Sequence, residues 1–275
     1  MNRYIALSIF LLFSMVSLAN AVEQISFKGR SKSVSGDLLT LTGKLHKPQG
    51  YAPFPALILM HGCAGITEKV EDAWARRLAG WGYVALELDS FRPREEKNVC
   101  DNTFVIPENT RAQDAFFAQV FLSQQGFVDG SRIGIMGWGH GGGAVLCAIS
   151  PSNMEDYYSQ KKGLSPSDLI KGTRPFKVAV TFYPYCAKNL EDSESPLLAL
   201  IGEKDTWYPA KMCKMNVPSF RTKNEIRLKI YPDTHHGFDA EDVNTVVAGY
   251  RVAYDFGATL DAIFRIRDFL AKYLR

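Results

Sequence analysis

Five stretches of this 275-residue chain end strand-like runs in residues that can do chemistry. LILM leads into His61-Gly62-Cys63-Ala64-Gly65, and LELDSF ends in Asp89-Ser90-Phe91. IGIMGWGHGG reaches Gly139, LALIGEKDTW reaches Asp205, and KIYPDTHHGF reaches His235 and His236. An acid followed by a histidine after the last strand is the pairing used for general-base catalysis. The carboxylate fixes the imidazole tautomer and stabilises the imidazolium, while the imidazole takes a proton from a nucleophile. The nucleophile itself is expected in GWGHGG, Gly137 to Gly142. This stretch has the outline of G-x-S-x-G, the strained strand-to-helix turn that exposes a catalytic side chain. Gly139 stands at the serine position. Glycine accepts such backbone angles at little steric cost, and it cannot attack a carbonyl.

The order of nucleophile position, acid and histidine resembles that of the α/β-hydrolases. On that resemblance Asp205 is the acid and His236 the base, with His235 as the fallback. The backbone N–H groups of His140 and Cys63 would form the oxyanion hole. The chain further resembles exported members of the dienelactone hydrolase family, which read HGC-x-G, DSF-x-PR, MGWSHGG, GE-x-D-x-W and HGFD. Here those motifs stand at His61 to Gly65, Asp89 to Arg94, Met136 to Gly142, Gly202 to Trp207 and His236 to Asp239. The resemblance covers nearly the whole chain after residue 21. It implies a carboxylic-ester or lactone hydrolase needing no cofactor and no metal, and Gly139 departs from its Ser or Cys nucleophile.

Three chemistries are open for such a site. His236 could activate water directly on a reactive ester. The pocket could hold an ester, lactone or carboxylate without turning it over. Ser90 or Cys63 could serve as a different nucleophile, although neither sits at the elbow. Arg92 and Arg94 are candidates for a substrate carboxylate, against a plain solvated or paired role. Trp138, Trp207 and Phe238 read as core or pocket wall.

These residues need a sheet to position them. FPALILMHG, YVALELDS, SRIGIMG, KVAVTFYP, PLLALIG and IRLKIYP read as buried strands, preceded by ISFKG and LLTLTGKLHKP. EDAWARRLAGWG, RAQDAFFAQVFLSQQGF, HGGGAVLCAIS and the C-terminal GATLDAIFRIRDFLAKYLR read as helices. Leu260, Ile263, Phe264, Ile266, Phe269, Leu270 and Tyr273 are expected to share the apolar face of the last helix. The alternation predicts a mostly parallel central sheet with helices on both faces, with sites at the strand carboxyl ends. The polar stretches 92–109 and 151–175 lie between these elements and read as loops that shape a site or cover it.

Residues 1–21 carry Arg3, an apolar run from Ile5 to Leu18, and Ala19-Asn20-Ala21. This predicts a secretory signal peptide cleaved after Ala21, a single domain over 22–275, and a periplasmic or secreted product with no membrane attachment after cleavage. A net charge of +3 without basic blocks argues against nucleic acid as a partner. Export makes disulfides reasonable for the five cysteines. Cys186 and Cys213 follow neighbouring parallel strands and are the favoured pair. Cys63 with Cys100 is a second possible pair, and Cys147 reads as a buried thiol.

Overall fold

The computed structural model describes residues 22–32, 38–154, 173–187, 190–217 and 223–275. The signal-like segment 1–21 and most of the second loop, 155–172, lie outside the described residues. Among the described residues eight strands form one sheet: β1 (Val22–Lys32), β2 (Leu38–His46), β3 (Phe54–Met60), β4 (Val84–Asp89), β5 (Val128–Trp138), β6 (Ala179–Phe182), β7 (Leu197–Gly202) and β8 (Ile226–Tyr231). Their order is β1-β2-β4-β3-β5-β6-β7-β8. β1, β2 and β4 pair antiparallel, and every pairing from β4 through β3 to β8 is parallel.

The strand sequences explain these places. Ala56–Met60 of β3 and all of β4, β6 and β7 are buried, as continuous apolar runs should be in a parallel sheet covered on both faces. β2 alternates exposed and buried residues and lies next to the edge strand β1. Each fully buried Leu, Ile or Val contributes about 1.5–3 kcal/mol by leaving water.

The helices α1 (Ala73–Gly80), α2 (Glu108–Ser123) and α3 (His140–Ala148) connect parallel strands. The chain steps one way from β3 to β4 and back the other way from β4 to β5 and β6. Right-handed crossovers therefore put α1 on one face and α2 with α3 on the other. Gly141 sets how closely α3 approaches the sheet, because a Cβ there would collide with the carbonyl oxygens of Met60 and His61.

The last helix, here called α5 (Phe256–Leu274), corrects one expectation. It buries Ala258, Ala262, Ile266, Phe269, Leu270 and Leu274, while Leu260 and Phe264 are exposed. Two residues are about 200° apart on a helix, so burying Ala258 and Ala262 turns Leu260 and Phe264 outward. The small alanines admit the helix close to the sheet. Two elements have no clear forerunner in the sequence pattern: α4 (Ala210–Asn216) and a hairpin of β9 (Asn244–Val247) with β10 (Tyr250–Ala253).

Candidate active site

Gly139 sits between β5 and α3 with φ +50° and ψ −113°. Only glycine adopts these angles without strain. Its N–H donates to the Phe182 carbonyl at 3.0 Å, and its own carbonyl accepts from Gly143 N–H at 2.9 Å, so the turn is anchored on both sides. A Cβ at this position would lie 3.4 Å from His236 Nε2 and 3.9 Å from Tyr183 Cδ2, which is ordinary contact.

The structure brings Asp205 and His236 together at the carboxyl ends of β7 and β8. His236 Nδ1 lies 2.8 Å from Asp205 Oδ2. This leaves Nε2 directed at Gly139. The other carboxylate oxygen, Asp205 Oδ1, accepts from the backbone N–H groups of Trp207 (2.9 Å) and Tyr208 (2.8 Å). Tyr183 and Trp207 pack on the imidazole, with ring centroids 4.3 and 4.9 Å away. The β9–β10 hairpin steadies this loop, because Ala253 N–H of β10 donates to the His236 carbonyl at 3.0 Å. Its turn residues Ala248 and Gly249 both have positive φ. Ala-Gly is a weaker hairpin signal than the Asn-Gly or Asp-Gly that such turns prefer.

Behind the cleft lies a set of buried polar contacts. Asp239 is buried, and burial raises its carboxyl above the usual range. Three neutral donors counter that effect: Trp74 and Trp138 Nε1–H on Oδ2, both at 2.9 Å, and the Tyr183 hydroxyl on Oδ1 at 2.8 Å. Asp239 thus sets the ring that packs on His236.

Glu71 holds the loop after β3. It accepts from Gly62 N–H (3.0 Å), Thr67 N–H (2.9 Å) and the Thr67 hydroxyl (2.8 Å). Arg111 is fully buried and ties the same loop to the elbow. It donates to the His61 carbonyl at 2.6 Å and to His140 Nδ1 at 3.1 Å, and its guanidinium lies over the Phe91 ring. Burial pulls Arg111 down to about 10, so it stays cationic at neutral pH. Burial first and Arg111 second push His140 down to about 2, and the same two causes hold His61 well below the usual histidine range. Both imidazoles are therefore neutral. Sequence reading marked none of Glu71, Arg111 and Asp239 for these tasks. Asp239 stood inside the quoted HGFD motif, but nothing in the pattern indicated its three partners.

Gly139, His140, Cys63 and His236 line one cleft of about 140 Å³. As the first residue of α3, His140 has a backbone N–H with no acceptor inside the helix. The other candidates fall elsewhere. His235 Nδ1 lies 3.2 Å from the Lys204 carbonyl, and the side chain does not line the cleft. Ser90 is buried, and its N–H donates to His61 Nε2 at 3.3 Å. Cys63 is bonded to Cys100, which removes its thiol as a nucleophile, and Cys186 is bonded to Cys213. Cys147 is a buried thiol outside both disulfides. Arg94 grips Asp114 with two bonds of 2.8 and 2.9 Å and also donates to the Ser90 carbonyl, and Arg92 faces Asp89 and solvent.

A family model for the dienelactone hydrolases matches residues 41–158 and 164–274. The chain belongs to the dienelactone hydrolase family. A Saccharolobus solfataricus protein, provisionally designated a carboxymethylenebutenolidase, is 22% identical over 240 residues, spanning 80% of this chain and 90% of that one. Among solved structures, a dienelactone hydrolase-like promiscuous phosphotriesterase from metagenomic libraries superposes with a TM-score of 0.67 at 18% identity, covering 93% of this chain and all of that one. The dienelactone hydrolase of Anabaena variabilis superposes with a TM-score of 0.60 at 17% identity, covering 92% and 99%. At these identities the structural likeness is one of fold, and this member of the family carries the α/β-hydrolase scaffold with glycine at the elbow. The two disulfides fit an oxidising compartment. Among the described residues no helix is long and apolar enough to cross a membrane.

Proposed function

We propose that this chain binds small carboxylic esters or lactones in the cleft, and that as written its hydrolysis of them is severely reduced or absent. The observation that carries this is the 3.4 Å between His236 Nε2 and the place where a side chain at Gly139 would begin. The base is aimed at a nucleophile position that holds no nucleophile. In any residual reaction Asp205 keeps the His236 Nδ1 proton in place, and Nε2 takes a proton from water as the water adds to the ester carbonyl. The N–H groups of Cys63 and His140 receive the developing oxyanion. Triad enzymes stripped of their nucleophile keep roughly 10³–10⁴-fold over water from such donors and binding.

A second reading, a binding protein without turnover, is favoured by the backbone at Gly139, whose angles suit glycine better than any nucleophile. Turnover of an activated aryl ester by the purified protein, with and without His236→Ala, separates the two. Hydrolysis lost on that substitution supports residual catalysis, and saturable binding without turnover supports the binding protein. Stoichiometric labelling by a serine-directed fluorophosphonate would refute both, since it requires an activated serine. The signal-like N-terminus and the two disulfides support an exported, periplasmic or secreted protein with a single domain from residue 22.

A further inference from the structure

The walls of the cleft bear on which esters it takes, an inference that rests on the ester-site reading above. Its charge is one-sided. Glu71 lines it, His140 lines it as a neutral ring, and among the described residues no lysine or arginine does. The nearby arginines are engaged elsewhere: Arg94 with Asp114, Arg92 with Asp89 and solvent, and Arg111 behind the wall with the His61 carbonyl and His140. A substrate carboxylate would enter beside Glu71 with no lysine or arginine to pair with, and the His236 imidazole is already held by Asp205; a poorly paired charge in such surroundings is strongly disfavoured.

Apart from the Thr67, Tyr183 and Tyr208 hydroxyls, the remaining side chains of the wall are mostly apolar. Val70, Ala240, Val247 and Val252 line it together with the indole of Trp207. That indole is backed by Tyr250, stacked at 5.0 Å with 12° between the planes. It therefore offers a fixed flat surface beside His236. The cleft volume, about 140 Å³, is close to that of a ~150 Å³ apolar cavity that holds one benzene ring.

We propose that the cleft selects uncharged esters or lactones carrying one ring-sized apolar group, and discriminates against substrates that bear a carboxylate. The direct test uses the full chain with Gly139 in place, so that no turnover is needed. Methyl benzoate and benzoate are titrated against the intrinsic tryptophan fluorescence. Methyl benzoate should bind at least about tenfold more tightly than benzoate. Val247→Arg, which adds a cation to the wall, should abolish or invert that preference. Equal or tighter binding of benzoate by the parent overturns the proposal, as does no saturable binding of methyl benzoate or a ratio unmoved by Val247→Arg.

A parallel experiment keeps the two readings apart. The Gly139→Ser variant is assayed with 4-nitrophenyl butyrate and with mono-4-nitrophenyl succinate, which differ by a methyl and a carboxylate at the acyl end. Faster turnover of the butyrate supports the selection proposed here. Turnover of both with the succinate equal or preferred overturns it and leaves the ester site standing. Turnover of neither removes the ester-hydrolase reading, and the fluorescence titration still decides the charge preference.

Discussion

Gly139→Ser should create activity and reduce stability in the same molecule. Space is not the obstacle, because the nearest atoms to the new Cβ, His236 Nε2 at 3.4 Å and Cε1 at 3.7 Å, are at ordinary contact distance. From that Cβ the hydroxyl comes within hydrogen-bond reach of Nε2, roughly 2.6–3.2 Å. Triad members act as a unit, with loss of the nucleophile in one well-studied protease costing ~10⁶ in kcat. Even a small part of that, about 10²-fold, should be visible against the parent with an activated aryl ester. The backbone sets the cost. At φ +50° a residue with a Cβ is strained by about 1–3 kcal/mol. For a chain of this size that lowers Tm by ~2–4 °C per kcal/mol. Aryl-ester kinetics, fluorophosphonate labelling and the denaturant midpoint are measured on the same pair of proteins. A folded variant no faster than its parent would refute the claim that only the nucleophile is missing. A variant that is faster and equally stable would refute the strained turn while keeping the Asp205–His236 assignment.

Further outcomes follow from the buried groups and the disulfides. His140 and His61 are neutral when folded and bind protons when unfolded, so stability is lost as pH falls below ~6.5, by ~1.4 kcal/mol per pH unit for each. Denaturant midpoints at pH 7.5 and 5.5 should show the loss, and His140→Asn should shrink the difference by about half; an unchanged difference would rule His140 out as a source. Arg94→Met should cost about 3–5 kcal/mol, because it leaves the fully buried Asp114 without its bidentate partner. In the Gly139→Ser background it should not change the ratio of neutral to carboxylate-bearing ester turnover, whereas a selective loss on the latter would restore Arg94 as a substrate contact. The unreduced protein unfolded in denaturant should titrate one thiol, Cys147, rising to five after reduction. Breaking the Cys186–Cys213 bond alone should cost roughly 3–4 kcal/mol, read from the midpoint of a double serine variant.

Much of the fold was legible because its signals are local. Continuous runs such as ALILM and VALELD leave little choice but a buried parallel strand, and the order of glycine turn, Asp205 and His236 follows from strand ends. What stayed hidden depends on which partners come together in space. Leu260 and Phe264 looked like core on hydrophobicity, but two alanines decided which side of α5 meets the sheet. For Arg94 the sequence leaves a paired role and a substrate role both open, and only the fold sets Asp114 against it, 20 residues away in the chain. Glu71 opens the helical EDAWARRLAGWG run, and only the folded loop shows it holding Gly62 and Thr67.

The polar groups of the site divide by whether the fold itself uses them, and that division bears on what glycine at the elbow means. Asp239 satisfies two indoles and a phenol, Glu71 holds the loop after β3, and Arg111 binds that loop to α3. Each would keep its contacts in a protein with no chemistry to perform, since a buried polar group left unpaired costs about 1–3 kcal/mol. Asp205 is divided. Its Oδ1 caps the backbone of Trp207 and Tyr208, whereas Oδ2 is turned to His236. His236 in turn directs Nε2 toward Gly139. Asp205→Asn can keep both backbone contacts through its amide oxygen while presenting an amide to Nδ1, which disturbs the imidazole tautomer. In the Gly139→Ser background this change should leave the denaturant midpoint nearly unmoved and lower kcat by up to ~10⁴. If both fall together, the pair is structural. If kcat alone falls, the Asp205–His236 contact is the part of the site whose purpose is catalysis.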